Sequence, residues 1–466
     1  MHIRPAPTVI QESRRWSRKV GLSRPLERLL AIFLTGVILG AGKRSLAAIA
    51  RTLVYGRYRG QLSRATRNPA FKTRDLHRTA LKEFVCELAK HARRRASRPR
   101  WIVLVDDVFT LRGGETKVAN GHHTRESKRV KAKYTSSKSH TFVQGLLITD
   151  DGVRVPLPRR TWHTKKYAKE VGKRYVSKVQ LAAVMLRELK TILDPTIEVV
   201  VLADALYDTR TLMNECRRLG FTLIVPVHSY RRFGDVPRLA PVEMRKVYAH
   251  GGSLPRSRFK RHVLVRGTEK TVSYRRYSPS EKRTSSRVYD VSHEVRNVAG
   301  LGGVGVTYSW KRKVAGRRSS KDSLKALVCS RSTMRPELVA ELYELRWQIE
   351  IFFRDLKSGL GLADYSGQDF NAFERLVDLT LLSFLFLEQR RVRSLQSTVD
   401  PKRVGELRAA RTTDLKLELE AESFRADAAW ILTRIETPAG RRRLRRTLGR
   451  LRARSPAAPH LAACLG

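Results

Sequence analysis

Two apolar runs in the chain stop abruptly on aspartate residues. Residues 101–105 are apolar at every position and are followed by Asp106 and Asp107, and the largely apolar run 197–203 ends in the same way on Asp204. Continuous apolar runs of this length are typical of strands that are buried on both faces of a sheet. The pattern therefore predicts two central strands with carboxylates at their ends.

Further elements are predicted around these two strands. The order is that of a ribonuclease H-like α/β domain: strands come first, and alternating helices and strands with acids at strand ends follow. In such a domain a mixed sheet carries the active site at the carboxyl ends of its strands. The predicted elements are a hairpin of residues 141–148 and 153–157 around Asp150-Asp151-Gly152, a helix over about 176–193, a helix ending at Leu219 before the stop signal Gly220, and a strand over 221–227.

Changes in composition divide the chain into segments. A helical stretch comes first. Its apolar part from Leu29 to Gly42 is too short for a bilayer, which needs roughly 20 apolar residues, and is interpreted as a buried helix. A basic break with a helix-stopping proline at Pro99 follows, and short β-like pieces among Gly, Ser, Arg and Lys occupy a later stretch. The predicted segments are a helical N-terminal region (1–98), an α/β core in two parts (99–229 and 323–395), a β-rich insertion (230–322) between them, and a basic helical C-terminal tail (396–466).

The charge of the chain indicates a polyanionic partner. Lys and Arg number 94 against 43 Asp and Glu, which gives a formal net charge of +51. Basic side chains that neutralise phosphates release condensed counterions, so nucleic acid is the obvious partner, while an Arg-favouring genome explains part of the excess. Four scattered cysteines without a C-x-x-C pair indicate neither a zinc knuckle nor a disulfide framework. No signal peptide or membrane span is predicted, so a cytoplasmic protein is expected.

A helical segment near residue 350 carries a stripe of polar side chains. At ~100° per residue, Tyr343, Arg346, Glu350 and Lys357 fall within an arc of roughly 60°. Apolar residues occupy the adjoining arc, so one helix over about 336–360 can bury that side and leave the stripe at the edge of the core. The alternative is that Glu350 only makes i,i+4 pairs, which are worth ~0.2–0.5 kcal/mol each.

This segment closely resembles the Tyr-x2-Arg-x3-Glu-x6-Lys signature of a large group of insertion-sequence transposases in the DDE superfamily. All four residues match at full spacing, and the resemblance extends over most of the chain. It implies that the helical N-terminal region (1–98) binds DNA and that the core (99–229 and 323–395) is a ribonuclease H-like catalytic core interrupted by the insertion. Its metal-binding catalytic triad would be Asp106, Asp204 and Glu350. Asp107 stays open as the alternative to Asp106, because the family often has Thr two positions after the first aspartate, where this chain has Val108.

The resemblance also implies a chemistry and partners. Carboxylates suit Mg²⁺, a hard ion that prefers oxygen ligands, and Mn²⁺ is expected to substitute. Two ions held roughly 3.5–4 Å apart would serve an in-line phosphodiester displacement. Tyr343, Arg346 and Lys357 are expected to contact double-stranded DNA at the transposon's terminal inverted repeats.

The expected activity is cut-and-paste transposition by a homodimer assembled on the two inverted repeats, followed by strand transfer into target DNA. The expected location is the bacterial cytoplasm, with the protein associated with the nucleoid when bound to DNA. Two alternatives stay open: a catalytically silent DNA-binding protein derived from a transposase, and a metal-dependent endonuclease without joining activity.

Three further features carry weaker interpretations. His122-His123 indicate a DNA-facing loop more than a metal site, because no Cys or acid lies at zinc-ligand spacing. Trp310 is interpreted as a core or surface aromatic, with stacking on an unpaired base as the alternative. The arginine run 441–446 is either a DNA contact or a disordered tail.

Overall fold

The computed structural model describes two compact units of the chain. The first comprises Met1–Leu81, Thr110–Ser139 and Arg354–Gly466, and the second comprises Lys82–Phe109 and His140–Phe353. The residues described are 5–40, 45–53, 58–96, 98–113, 119–123, 137–227, 268–274, 285–298, 300–311, 324–362, 364 and 369–452.

Among the described residues, five helices come first and a mixed α/β region follows. The helices are α1 (Pro7–Val20), α2 (Arg24–Leu39), α3 (Leu46–Arg51), α4 (Tyr58–Arg67) and α5 (Thr73–Arg95). The elements that follow, up to the end of the second unit, are β1 (Arg100–Gly113), β2 (Ser137–Ile148), β3 (Arg154–Pro156), β4 (Arg160–Thr161), α6 (Lys165–Glu170), α7 (Lys178–Lys190), β5 (Glu198–Ala203), a 3₁₀ turn (Ala205–Tyr207), α8 (Arg210–Leu219), β6 (Thr222–Pro226), β7 (Thr268–Tyr274), β8 (Ser285–Val298), β9 (Gly302–Lys311), β10 (Leu324–Cys329), α9 (Pro336–Glu344), a second 3₁₀ turn (Leu345–Trp347) and α10 (Gln348–Arg354).

The remaining elements return to the first unit. They are a π-helical segment (Asp355–Gly359), α11 (Phe370–Ser397), α12 (Pro401–Ala409), α13 (Thr412–Ile435) and α14 (Pro438–Arg452). Within this unit α2 packs against α1, α3 and α11, and α13 packs against α14. The predicted buried helix from Leu29 is confirmed, because the described residues 29–38 of α2 are all buried.

One mixed sheet organises the second unit. The strand order is β3-β2-β1-β5-β6-β10-β9-β8-β7, and β4 pairs with β2. Strands β1, β5 and β6 run parallel, whereas β10 pairs antiparallel with both β6 and β9. The predicted mixed α/β architecture is therefore present, and the finer assignment to a ribonuclease H-like core remains a prediction.

Several of the predicted local elements are confirmed. The hairpin pairs β2 with β3 in antiparallel register, and Gly152 in its turn adopts φ 80°, a left-handed conformation that glycine reaches without strain. Gly220 ends α8 in the left-handed conformation, as a helix stop signal should. At the start of α7, Ser177 and Gln180 form a capping box that fixes the first turn of the helix.

The predicted β-rich insertion lies partly outside the described residues. The described strands β7, β8 and β9 form an antiparallel meander that joins the main sheet through β10, so they extend that sheet. The five predicted segments and their boundaries stay a prediction. Among the helices that the structure describes, none combines the length and the apolar character needed to cross a membrane.

Candidate active site

The parallel register of β1 and β5 brings two of the predicted site residues to one level of the sheet. Val105 pairs with Ala203, so Asp106 and Asp204 are the next residues on neighbouring strands. Each carboxylate is oriented by a nearby amide: Asp106 Oδ1 accepts from the Asp107 N–H at 2.8 Å, and Asp204 Oδ1 accepts from the Leu206 N–H at 3.0 Å. The pairing of β1 with β5 ends at this level, next to both aspartates. The predicted strand end at Asp204 is confirmed, whereas the predicted strand end at Asp106 is wrong, because β1 continues to Gly113.

These two aspartates form a centre of excess negative charge. Burial and the charge of Asp204 raise the pKa of Asp106 to about 7, against the lowering effects of the Asp107 amide and of Arg346. Burial and the charge of Asp107 also raise the pKa of Asp204, while Arg346 and Lys178 lower it in part. Because like charges and desolvation both disfavour ionisation, a bound cation would be stabilised at this position.

Three residues of the signature segment lie at the same site. The Tyr343 hydroxyl donates to the Ala203 carbonyl at 3.3 Å, directly before Asp204 in the chain. Arg346 bridges two acids: its Nη1 lies 3.3 Å from Asp106 Oδ2, and its Nη2 lies 2.7 Å from Glu350 Oε1. The i,i+4 pair between Arg346 and Glu350 is therefore present, and the same guanidinium connects Glu350 to Asp106.

The signature segment is not the uniform helix that the sequence predicted. It consists of α9, a 3₁₀ turn that contains Arg346, α10 with Glu350, and a π-helical segment that contains Lys357. A 3₁₀ turn has 3.0 residues per turn, so a constant ~100° per residue does not describe the face beyond Tyr343. Lys357 belongs to the first unit, and its predicted contact with DNA remains a prediction.

Asp107 is engaged by partners of its own. Its Oδ1 accepts from the Tyr207 hydroxyl at 2.7 Å, and its Oδ2 forms an ion pair with Lys178. The Lys178 ammonium also lies over the ring of Trp162, 5.3 Å from its centroid. The sequence patterns did not single out Lys178 or Tyr207. The short distance along the chain between Tyr207 and Asp204, three residues, could have pointed to Tyr207. No feature of the sequence pointed to Lys178.

The chemistry of these residues fits a hard divalent cation. Asp106 and Asp204 supply carboxylate oxygens side by side, which is the donor type that Mg²⁺ prefers. In the part of the chain that the structure describes, no group of three or more His, Cys, Asp or Glu side chains is gathered closely enough to hold a metal ion. The two aspartates form the fitting donor set, whereas Glu350 is not gathered with them as a third ligand and is connected to Asp106 through Arg346.

The weaker candidates lie elsewhere. His122 forms a backbone bridge with Ser139, and its Nδ1 lies 3.2 Å from the Asn120 carbonyl oxygen, whereas residues 124–136 of the predicted loop lie outside the described residues. Trp310 belongs to β9, and its side chain lies outside the described part. Residues 441–446 belong to α14, so the arginine run is helical.

Two comparisons with known proteins bear on this site. A family model described as the transposase DDE domain matches residues 98–386, which is more than half of the chain and includes Asp106, Asp204 and Glu350. A search of curated proteins finds no match.

Proposed function

The chain belongs to the transposase DDE domain family, and we propose that it catalyses cut-and-paste transposition of an insertion sequence, cleaving the transposon ends and joining them to target DNA. The observation that carries this proposal is the β1–β5 register, which aligns Asp106 with Asp204 beside the Arg346–Glu350 pair. The match of Tyr343, Arg346, Glu350 and Lys357 to the signature spacing supports the insertion-sequence assignment.

Asp106, Asp204 and Glu350 are the proposed metal ligands and catalytic residues. When bound, two Mg²⁺ ions supply Lewis-acid activation of the attacking hydroxyl and stabilise the leaving oxygen, and Mn²⁺ is expected to replace them. Asp106 is proposed over Asp107, because Asp107 is already engaged by Tyr207 and Lys178. The protein contributes fixed carboxylate positions at the end of a rigid sheet, which lowers the cost of ordering the reaction centre.

Tyr343, Arg346 and Lys357 are proposed to contact the DNA near the scissile phosphate. The planar guanidinium of Arg346 offers donors in a fork that fits phosphate as well as carboxylate, so it suits both the acids and a DNA backbone. Tyr343 is largely buried and hydrogen-bonded to the Ala203 carbonyl, which fixes the approach of the signature segment to the sheet. A homodimer on the two inverted repeats, acting at the bacterial nucleoid, completes the proposal.

The two alternatives differ from this proposal in measurable products. A nuclease with the same metal site cleaves DNA without joining, and a silent DNA-binding protein binds without cleaving. The assay incubates the full chain and Mg²⁺ with a plasmid bearing the inverted repeats that flank its gene, together with a target plasmid. We expect joined products from the wild type, and we expect Asp204→Asn and Glu350→Gln to reduce them by at least about a thousandfold, since each removes a charge needed for the metal centre.

A matched control removes a carboxylate far from the site in the chain. Glu420 is exposed on α13, and Glu420→Gln should join DNA as the wild type does. Cleavage without joining in the wild type would support the nuclease, and binding without cleavage would support the silent protein. Equal activity in all four proteins would show that the assigned acids are wrong.

A further inference from the structure

We propose that Asp107, Tyr207 and Lys178 form a positioning clamp that fixes the separation of Asp106 and Asp204 and thereby sets the affinity of the site for divalent cations. This inference rests on the proposed function, because it assigns the clamp to the same metal centre. The three residues touch neither substrate nor metal in this proposal, and they act through the two aspartates.

The clamp connects three segments of the second unit. Asp107 lies on β1, Tyr207 ends the 3₁₀ turn after β5, and Lys178 begins α7. One carboxylate receives both contacts: Oδ1 accepts from the Tyr207 hydroxyl at 2.7 Å, and Oδ2 pairs with the Lys178 ammonium. Because Asp107 is adjacent to Asp106, and Tyr207 follows Asp204 by three residues, the clamp joins the two chain segments that carry the proposed ligands.

The turn that carries Asp204 depends on polar contacts at both of its ends. At its start, Asp204 caps the turn through the Leu206 N–H, and the Tyr207 N–H donates to the Asp204 carbonyl at 3.1 Å. At its end, the Tyr207 side chain is fully buried and its hydroxyl reaches Asp107. Leu206, between them, is 43% exposed and contributes little packing. Removing the phenol oxygen therefore releases one of the two polar anchors of the turn.

Lys178 balances the charge of the aspartates. Asp106, Asp107 and Asp204 repel one another, whereas Arg346 attracts Asp106 and Asp204, and Lys178 attracts Asp204 and is paired with Asp107. Lys178 is held by the ion pair with Asp107 and by the ring of Trp162. Partners that orient metal ligands from outside the coordination sphere typically contribute about 10–100-fold to metal affinity. The same range is expected here for each of the two contacts with Asp107.

The experiment measures Mn²⁺ binding to the full chain by electron paramagnetic resonance, together with DNA cleavage as a function of Mg²⁺. We expect Tyr207→Phe and Lys178→Arg each to raise the Mn²⁺ Kd about tenfold or more, and to raise the Mg²⁺ concentration for half-maximal cleavage by a similar factor. Arginine keeps the positive charge beside the aspartates but replaces the compact ammonium with a larger planar group, so this variant changes the contact with Asp107 and leaves the net charge of the site unchanged. Saturating Mg²⁺ should restore the cleavage that is missing at limiting Mg²⁺. The variants alter the geometry of the metal ligands and weaken binding, but they remove none of the ligands.

Two controls accompany these variants. Tyr175→Phe removes a phenol oxygen in the same unit from a ring that lies under Lys165, and it should leave the Kd unchanged. Asp107→Asn keeps an acceptor for Tyr207 but removes the charge paired with Lys178. It should weaken Mn²⁺ binding moderately, whereas loss of binding as complete as in Asp204→Asn would make Asp107 a ligand and overturn the clamp.

Other outcomes would also overturn the proposal. These are an unchanged Kd in Tyr207→Phe and Lys178→Arg, or a fall in maximal rate at unchanged Kd. If Tyr207→Phe fails to fold, Lys178→Arg decides alone. A wild type that binds Mn²⁺ in an Asp204-dependent manner but joins no DNA refutes the proposed function, and the Kd comparison still tests the clamp.

Discussion

At the scale of single residues, Asp106 and Asp107 show how surroundings assign different roles to identical side chains. Neighbouring positions on a strand point to opposite faces of a sheet. Asp107 meets Tyr207 and Lys178, whereas Asp106 faces the charge of Asp204 and shares Arg346 with Glu350. The sequence could predict an acid of the site at this position of β1 but could not choose between the two, because the partners that distinguish them come from distant parts of the chain.

A carboxylate held beside another carboxylate should cost stability once it ionises. The pKa of Asp106 is raised from 3.8 to about 7, so between those values the folded protein keeps a proton that the unfolded chain has released. Stability therefore falls as pH rises through this window, and the cost is complete above about pH 7. We predict that Asp106→Asn raises the thermal unfolding midpoint at pH 8, by a few degrees, and leaves it unchanged at pH 4.

Differential scanning calorimetry of the metal-free proteins measures this effect. Asp151→Asn, in the hairpin turn of the same unit, serves as a control in which an aspartate is replaced away from the site. The interpretation fails if Asp106→Asn lowers the midpoint at pH 8, or if its effect is the same at pH 4 and pH 8.

At the scale of elements, the packing of α2 depends on its glycines. A Cβ built on Gly36 would lie 2.9 Å from both the Cα and the carbonyl oxygen of Ile49, so the backbone of α3 occupies that space. We predict that Gly36→Val destabilises the first unit by about 1–3 kcal/mol, because backbone cannot yield as a flexible side chain does. Gly405 lies on α12 with no atom within 4 Å of its Cβ position, so Gly405→Val should change stability by less than about 0.5 kcal/mol.

Chemical unfolding followed by circular dichroism compares the two variants with the wild type. Both substitutions introduce the same β-branched side chain in place of a helical glycine, so helix propensity cancels in the comparison. Equal midpoints for Gly36→Val and Gly405→Val would contradict the close contact between α2 and α3.

Elements were predictable where local pattern determines them. The strand that ends before Asp204, the β2–β3 hairpin and the stop at Gly220 all follow from periodicity and turn chemistry, and the structure has them. The apolar run 101–105 also forms a strand, but β1 continues past Asp106 to Gly113, because strand pairing does not require apolar residues. The segmented signature helix was missed, because a 3₁₀ turn leaves no mark in a pattern read at 3.6 residues per turn. The contact of Lys178 with Asp107 spans 71 residues and depends on tertiary packing.

At the scale of the whole molecule, the net charge is +51 with the acids of the site included. A surface of this charge attracts any DNA, so binding by itself does not distinguish transposon ends from other sequence. Discrimination between sequences needs base contacts in addition, whereas the bulk charge acts on any DNA. The amphipathic helix α14, with the densest run of arginines, is the strongest candidate for a backbone contact outside the site.

The salt dependence of binding tests this division of roles. We predict that affinity for a random duplex falls about a thousandfold or more between about 50 and 200 mM KCl, as for proteins that neutralise six or more phosphates. Replacing Arg442, Arg445 and Arg446 of α14 by Gln should lower the slope of log K against log salt by about 0.9 for each phosphate that the helix no longer neutralises. The change in slope then gives the number of phosphates that these arginines neutralise.

A charge-matched control separates specific contacts from total charge. Lys166, Lys169 and Lys173 are exposed on or just after α6, and their replacement by Gln removes the same three charges. We expect the slope to fall more in the α14 variant than in this control, because only groups that displace counterions at the DNA contribute to it. Equal slopes in the two triple variants, measured by filter binding across the salt series, would mean that α14 contributes only to the general positive field of the protein.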